Sequence, residues 1–339
     1  MYEADSIISE VAAEFSENWQ IPSFDRYDAT LHALGYPMHE IYKRLGLNPE
    51  QFSEIKSGIF SGDFLNILAE IVDQTSDNCV GIKIGTMRPV KKIGTRFYIA
   101  FFSNTLRSAL NDFFFYTSLE VPFIKIRMEE SKSEAKILFE YDIDSPLISY
   151  EFDIDLITVV NLIRELLLRP EWAPTYVSSK YYVDPGRSDA LAALVHCPVD
   201  KNAANNCITF SKDILDEGIK FYDPLAKSIM IDAFYKRWNE MYAGYEYAVR
   251  TAFFLAKYFE YKNGIVDLHA IASSFNMSVS AYQRELVNEG SSFRKIKSDF
   301  IFKLATLLIA NDRDYKEVSK MLGYSTPQSL ARFLDSHNI

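Results

Sequence analysis

The sequence predicts an α+β domain over residues 1–235, followed by an all-α domain over 240–339 in which two helix-turn-helix units are joined by a linker helix. Three observations carry this expectation. Beyond Pro122, the stretches FIKIRMEE and AKILFEYDI alternate apolar and polar residues, as two hairpin strands do. Helical spacing recurs around them, as in Leu106, Ala109, Leu110 and Phe113. Finally, the last hundred residues contain an internal repeat, offset by 47 or 48 positions, whose copies each read as helix, turn, helix.

Length and composition suit this division. The chain has 339 residues, 48% hydrophobic and 24% charged, which is enough for two domains with a core in each. The 25 Phe and 21 Tyr suggest packed interiors first and an apolar pocket second. Cys79, Cys197 and Cys207 are far apart, odd in number and free of any C-x-x-C spacing. That usage argues against a disulfide framework and for a reducing cytoplasm. His196-Cys197 is expected to be a structural pair, not a metal or nucleophile site, because sequence neighbours rarely face one ligand and the other histidines are scattered. No apolar run reaches the ~18 residues of a membrane span. The acidic start MYEADSIISE lacks the basic opening of a secretory signal. A cytoplasmic protein without a membrane partner is expected.

The same chain lacks the familiar catalytic signatures. It holds no phosphate-cradling Gly loop, zinc spacing or G-x-S-x-G elbow, and only 13 glycines. Asp153 and Asp155 read as strand alternation or general acidity. The run ISYEFDIDLITVVNLIRELLL is expected to turn helical only in its second half, and YVSSKYYV has strand character. Neither an enzyme nor a cofactor is expected.

Charge is uneven. From Glu246 onward the balance is +2, and before it −12. A mildly basic tail behind an acidic body is compatible with nucleic-acid binding by the tail alone.

The tail is read element by element. Leu268, Ile271, Ala272 and Phe275 form one face of a short helix that Asp267 can cap. A turn at Asn276-Met277 leads to Ser278, a good cap for a second helix. There Val279, Tyr282 and Leu286 face one way, and Ser280, Gln283 and Arg284 another. Downstream, Asp314 and Glu317 fit a capping box, and Tyr315, Val318, Met321 and Leu322 form an apolar stripe. After Gly323-Tyr324, Ser325 or Thr326 caps a helix with Pro327 in its first turn. Leu330 and Leu334 point inward, while Gln328, Ser329 and Arg332 are left outside. Ile271, Phe275 and Ser278 correspond to Val318, Leu322 and Ser325 at a shift of 47. Tyr282, Arg284 and Leu286 correspond to Leu330, Arg332 and Leu334 at 48, so the second turn is one residue longer. Between the copies, Phe293, Ile296, Phe300, Leu304 and Leu308 describe one long, largely buried helix.

AIASSFNMSVSAYQREL, VSKMLGYSTPQSLARFL and the intervening NEGSSFRKIKSDFIFKLATLLI resemble the DNA-binding domain of AraC-type transcription regulators. The resemblance implies that the second helix of each unit enters a major groove of double-stranded DNA. It places base-facing positions on Ser280, Gln283 and Arg284, then on Gln328, Ser329 and Arg332. Arg suits guanine and Gln adenine in that groove. Ser278, Ser325 and Thr326 lie near helix N-termini, where phosphates are held. The other reading of Arg284 and Arg332 is of solvated arginines, or arginines paired with Glu285 or Asp335. The sequence departs from the family's pattern in a small Ser280, an acidic Asp335 and an end at Ile339 before the family's closing helix. Weak DNA binding is the corresponding expectation, and a degenerate member acting as a ligand- or protein-binding module is the alternative.

Residues 25–235 resemble the helix-rich, arabinose-binding-like sensor domain of one branch of the same family. LHALGYPMHEIYKRLGLNPEQF, the long block from FSGDFLNILAEIV to SALNDFFFY, RPEWAPTYVSSKYYVDP and LVHCPVDKNAANNCITFSKDIL carry that likeness. It implies a small-molecule effector of unknown identity and a homodimer formed through this domain. Candidate effector residues are the basic cluster Arg88, Lys91, Lys92 and Arg96, and the aromatic pair Phe101 and Phe102; a solvated loop and ordinary core are the plainer readings.

Overall fold

The computed structural model describes residues 25–48, 61–143, 145–181, 185–201 and 203–337. The opening MYEADSIISE, the entry segment beyond Asn48 and the terminal Ile339 lie outside the described residues. The chain divides into two compact units with the boundary between Phe234 and Tyr235.

The first unit is helix-rich α+β. Helices α1 (Asp25–Ala33), α2 (Met38–Leu45), α3 (Ser61–Thr75) and α4 (Val80–Met87) share a core in which Leu31, Ile41, Phe64, Leu68 and Ile71 are fully or almost fully buried. α2 stops at Gly46, whose φ of 68° returns its N–H to carbonyls of the last turn. A 3-10 turn, Val90–Lys92, leads to α5 (Thr95–Phe101) and then to α6 (Leu106–Glu120). Thr105 and Ser108 exchange side-chain and backbone hydrogen bonds in a capping box at the start of α6.

Strands β1 (Ile124–Glu130) and β2 (Glu134–Tyr141) form the hairpin that alternation predicts, with Ile126 opposite Phe139. They open a five-stranded sheet of order β1-β2-β5-β3-β4, where β3 is Tyr176–Ser179, β4 Val199–Lys201 and β5 Asn206–Ser211. Neighbours are antiparallel except β3 and β4, which are parallel across the crossover helix α8 (Pro185–Val195).

The central helix, α7 (Ile148–Leu167), corrects the sequence reading: it is helical from its first residue. It packs against α3, α4, α5, α6 and α8, so apolar residues are buried around most of its circumference. In such a helix the alternation of ISYEFDIDL carries no information about strand geometry. Asp153 and Asp155 therefore sit on a buried helix. Asp153 is fully buried and paired with Arg187 at 2.8 Å. α4 approaches α7 through Gly81 and Gly85. A Cβ at Gly81 would overlap the Tyr150 carbonyl oxygen, and one at Gly85 would stand 3.0 Å from Ile157 Cβ.

The second unit is all helical. It begins within α9 (Pro224–Met241) and continues through α10 (Tyr247–Lys262), α11 (Leu268–Ser274), α12 (Val279–Asn288), α13 (Phe293–Ala310), α14 (Tyr315–Met321) and α15 (Pro327–Asp335). Trp238, Tyr242, Phe254 and Phe275 form an aromatic core, and Phe259 meets Phe300 edge-on across α10 and α13. The five apolar positions marked along α13 are all buried.

Candidate functional site

The two helix pairs of the second unit are built by the same local rules. Asp267 and Asp314 cap α11 and α14 by accepting backbone N–H groups. Asn276 (φ 54°) and Gly323 (φ 80°) occupy the left-handed region at equivalent places in the turns. Met277 N–H reaches the Ala272 carbonyl, as Tyr324 N–H reaches that of Ser319. The turn between α14 and α15 is one residue longer than that between α11 and α12. Ser278 caps α12. Of the two residues proposed for α15 it is Thr326 that accepts the Ser329 N–H.

The second helices then present distinct faces. On α12, Tyr282 and Leu286 are buried while Ser280, Gln283 and Arg284 are exposed. On α15, Leu330 and Leu334 are buried while Gln328 and Arg332 are exposed. Among the described residues, neither arginine side chain has a hydrogen-bond or ion-pair partner, and Glu285 and Asp335 do not engage them. Ser329 is the exception to a free outer face: it is half-buried, and its hydroxyl lies 2.8 Å from that of Thr326 within the helix cap.

α12 is also fixed from behind. The Tyr282 hydroxyl meets Thr251 of α10 at 2.5 Å, and burial pushes its pKa up to about 12. The Glu289 carboxylate, just past α12, accepts the N–H groups of Tyr247 and Ala248 at 2.7 and 2.8 Å. One acidic side chain thus caps α10 and ties the end of α12 to it. Nothing in the local sequence around Glu289 signals this, because its partners lie about forty residues upstream.

In the first unit, the basic cluster falls on a chain reversal. Arg88 ends α4, Lys91 and Lys92 form the 3-10 turn, and Arg96 opens α5. Two open cavities, of about 590 and 500 Å3, flank this segment and share Arg88, Pro89 and Lys91 as walls. Lys92 lines the larger, and Lys91 is paired with Glu165 at 2.9 Å. Arg88 and Arg96 also wall a closed space of about 20 Å3, with Tyr27, Thr117 and Asp155. That is room for a single water. Phe101 and Phe102 line none of these spaces: Phe101 stacks between Phe97 and Phe221, and Phe102 meets Phe101 edge-on.

Sequence reasoning missed the acidic partners of this cluster. Glu151 and Asp155 stand one turn apart on α7. Burial raises the Asp155 pKa to about 7, opposed by the Tyr141 hydroxyl and by Arg96 and Arg88. Burial and the Asp155 charge hold Glu151 well above the usual carboxylate range, against the pull of both arginines and the Tyr27 hydroxyl. The i, i+4 spacing was visible, but only to a reading that took α7 as helical throughout. His196-Cys197 has no such company. Burial raises the Cys197 thiol to about 11, and among the described residues no group of three His, Cys, Asp or Glu side chains is placed to hold a metal ion. Among the same residues, no helix is long and apolar enough to cross a membrane.

Comparison with known proteins bears on the first unit. Residues 35–219 match the family model described as the N-terminal arabinose-binding domain of AraC transcription regulators. Among solved structures, that of the transcriptional regulator CdpR from Pseudomonas aeruginosa is similar over 88% of this chain and 92% of that one, at 16% identity and a TM-score of 0.44. No curated protein matched the chain. The family match spans more than half of the sequence, from the second helix through the end of the sheet, so the chain belongs to the AraC-type transcription regulators that carry an arabinose-binding N-terminal domain.

Proposed function

We propose that the chain is a sequence-specific DNA-binding regulator, with a sensor and dimerisation domain over 1–235 and tandem helix-turn-helix units over 240–339. The observation that carries this reading is the pair of equivalent capped helices, α12 and α15, each with an exposed arginine that has no partner among the described residues. Arg284 and Arg332 match the two acceptors on a guanine edge, and Gln283 and Gln328 the acceptor-donor pair of adenine. Ser280 and Ser329 lie on the same helices, Ser329 acting chiefly in its cap. The Ser278 hydroxyl accepts a backbone N–H group, which leaves its own proton for phosphate; exposed Ser325 can donate likewise, and Thr326 does so when Ser329 is the donor in their hydroxyl pair.

Regulation then follows from linkage. An effector that binds better to one arrangement of the chain shifts the population that engages DNA. The effector residues proposed are Arg88, Lys91, Lys92 and Arg96. The reading implies a cytoplasmic homodimer. A mobility-shift titration on the chain's own upstream DNA, across a salt series, tests the proposal. A sequence-selective shift weakened by Arg284→Ala and by Arg332→Ala is expected; the proposal fails if no selective shift occurs in any effector state. A second reading, a protein-docking module, is favoured by Val287, 66% exposed one turn from Arg284 on α12. Tight capture of a protein partner together with no DNA shift at low salt would select it.

A further inference from the structure

Arg88 stands where three spaces meet, since its side chain walls both open cavities and the closed one. Its guanidinium lies 3.9 Å from the Tyr27 ring centroid and has no hydrogen-bond or ion-pair partner among the described residues. On the inner side lie Glu151 and Asp155, which feel its charge. Facing the pair are also Arg96 of α5, Tyr27 of α1 and Tyr141 of β2, whereas Asp153 is taken by Arg187 and Arg96 approaches Glu120 at 3.1 Å. The polar demand there is incompletely met. Arg96 Nε, Glu151 Oε2 and Thr117 Oγ1 are buried without a hydrogen-bond partner, Thr117 being only 5% exposed on the wall of the closed space. On the outer side the larger cavity is apolar, with Ala29 and Ala33 exposed one turn apart on α1, and Met87 46% exposed.

We propose that this cavity receives a small organic carboxylate, its head group on the Arg88 guanidinium and its apolar body along Ala29, Ala33, Met87 and Pro89. The proposal rests on the sensor reading of this unit and deepens it by naming the ligand class. A planar guanidinium with open donors matches the two oxygens of a carboxylate. A doubly charged phosphate fits less well, because Lys91 is already neutralised by Glu165 and exposed Lys92 attracts only through screening solvent. The apolar wall demands a body that gains from leaving water.

A consequence follows for protons. A ligand carboxylate on Arg88 takes counter-charge from Glu151 and Asp155, so the bound state favours their protonated forms. Binding therefore takes up protons, and affinity rises as pH falls through neutrality.

Calorimetric titration of the full chain near neutral pH with 3-phenylpropionate and with its neutral amide tests the assignment. The acid is expected to bind at least about tenfold more tightly than the amide, and Arg88→Gln to lose at least about tenfold. Arg88→Lys should retain part of the affinity. Ala33→Phe, on an exposed helix face, should block the acid by filling the cavity even if the Arg88 variants fold poorly. In buffers of different ionisation enthalpy, wild type should show proton uptake that Asp155→Asn lacks. Equal binding of acid and amide, wild-type affinity in Arg88→Gln or Ala33→Phe, or no binding of either probe at millimolar concentration overturns the proposal. The mobility shift on the same preparations separates the two ideas: DNA binding without probe binding removes only the ligand class, and probe binding without a DNA shift removes only the regulator reading.

Discussion

Replacing Asp155 with Asn should make the first unit relatively more stable as pH rises. In the folded chain burial holds the Asp155 carboxyl at about 7, against the ordinary aspartate value of 3.8. Between those values the unfolded chain gives up a proton that the folded chain keeps, so wild-type stability falls as pH rises through this window and levels off above it. Three pKa units at 1.36 kcal/mol each set a limit of about 4 kcal/mol. Asp155 retains partial exposure, so solvent screening reduces the expected effect to about 2 kcal/mol. Asn keeps an acceptor for the Tyr141 hydroxyl, which lies 3.1 Å from the carboxylate, but it has no proton to lose. Urea series near pH 4.5 and 8, read by amide exchange over residues 148–167, report the unit that holds the pair. The difference between variant and wild type should shift in the variant's favour by about 2 kcal/mol between the two conditions. A difference that stays constant with pH would show that the pair is ionised in the folded chain and would refute the reasoning.

Three further outcomes are expected. Glu289→Ala removes two charge-assisted hydrogen bonds from the start of α10 and should cost about 3 kcal/mol in denaturant unfolding of the second unit; Glu289→Gln should recover part of that. Gly81→Ala forces a Cβ into the Tyr150 carbonyl and should destabilise the first unit by about 1–3 kcal/mol, whereas Gly62→Ala, with open space around it, should cost far less. Asp335→Lys, at an exposed position on α15, should strengthen DNA binding and steepen the logarithmic salt dependence by about one unit, read from mobility shifts at several salt concentrations; an unchanged slope would place residue 335 away from phosphate.

The local grammar of this chain was legible in its sequence. Caps such as Asp267, Ser278 and Asp314, the left-handed turn residues, the β1–β2 hairpin and most of the apolar stripes of α11 to α15 depend on neighbours within a few positions, and there propensity and period suffice; Tyr315, expected in the α14 stripe, is instead exposed, and Val318 and Leu322 carry that face. The extra residue in the second turn was legible for the same reason, as a change of offset from 47 to 48. The centre of the first unit was not. α7 is surrounded by helices, so its period is hidden by burial on nearly every side, and with it the i, i+4 relation of Glu151 and Asp155. The sequence by itself determined where helices begin, where they turn and which of their faces are polar, because those choices are settled by short-range sterics and solvent. Only the tertiary structure decided that Arg88 and Arg96 face a buried Glu151 and a partly buried Asp155, and that Glu289 caps a helix begun about forty residues earlier, because a charge takes its meaning from partners that chain separation conceals.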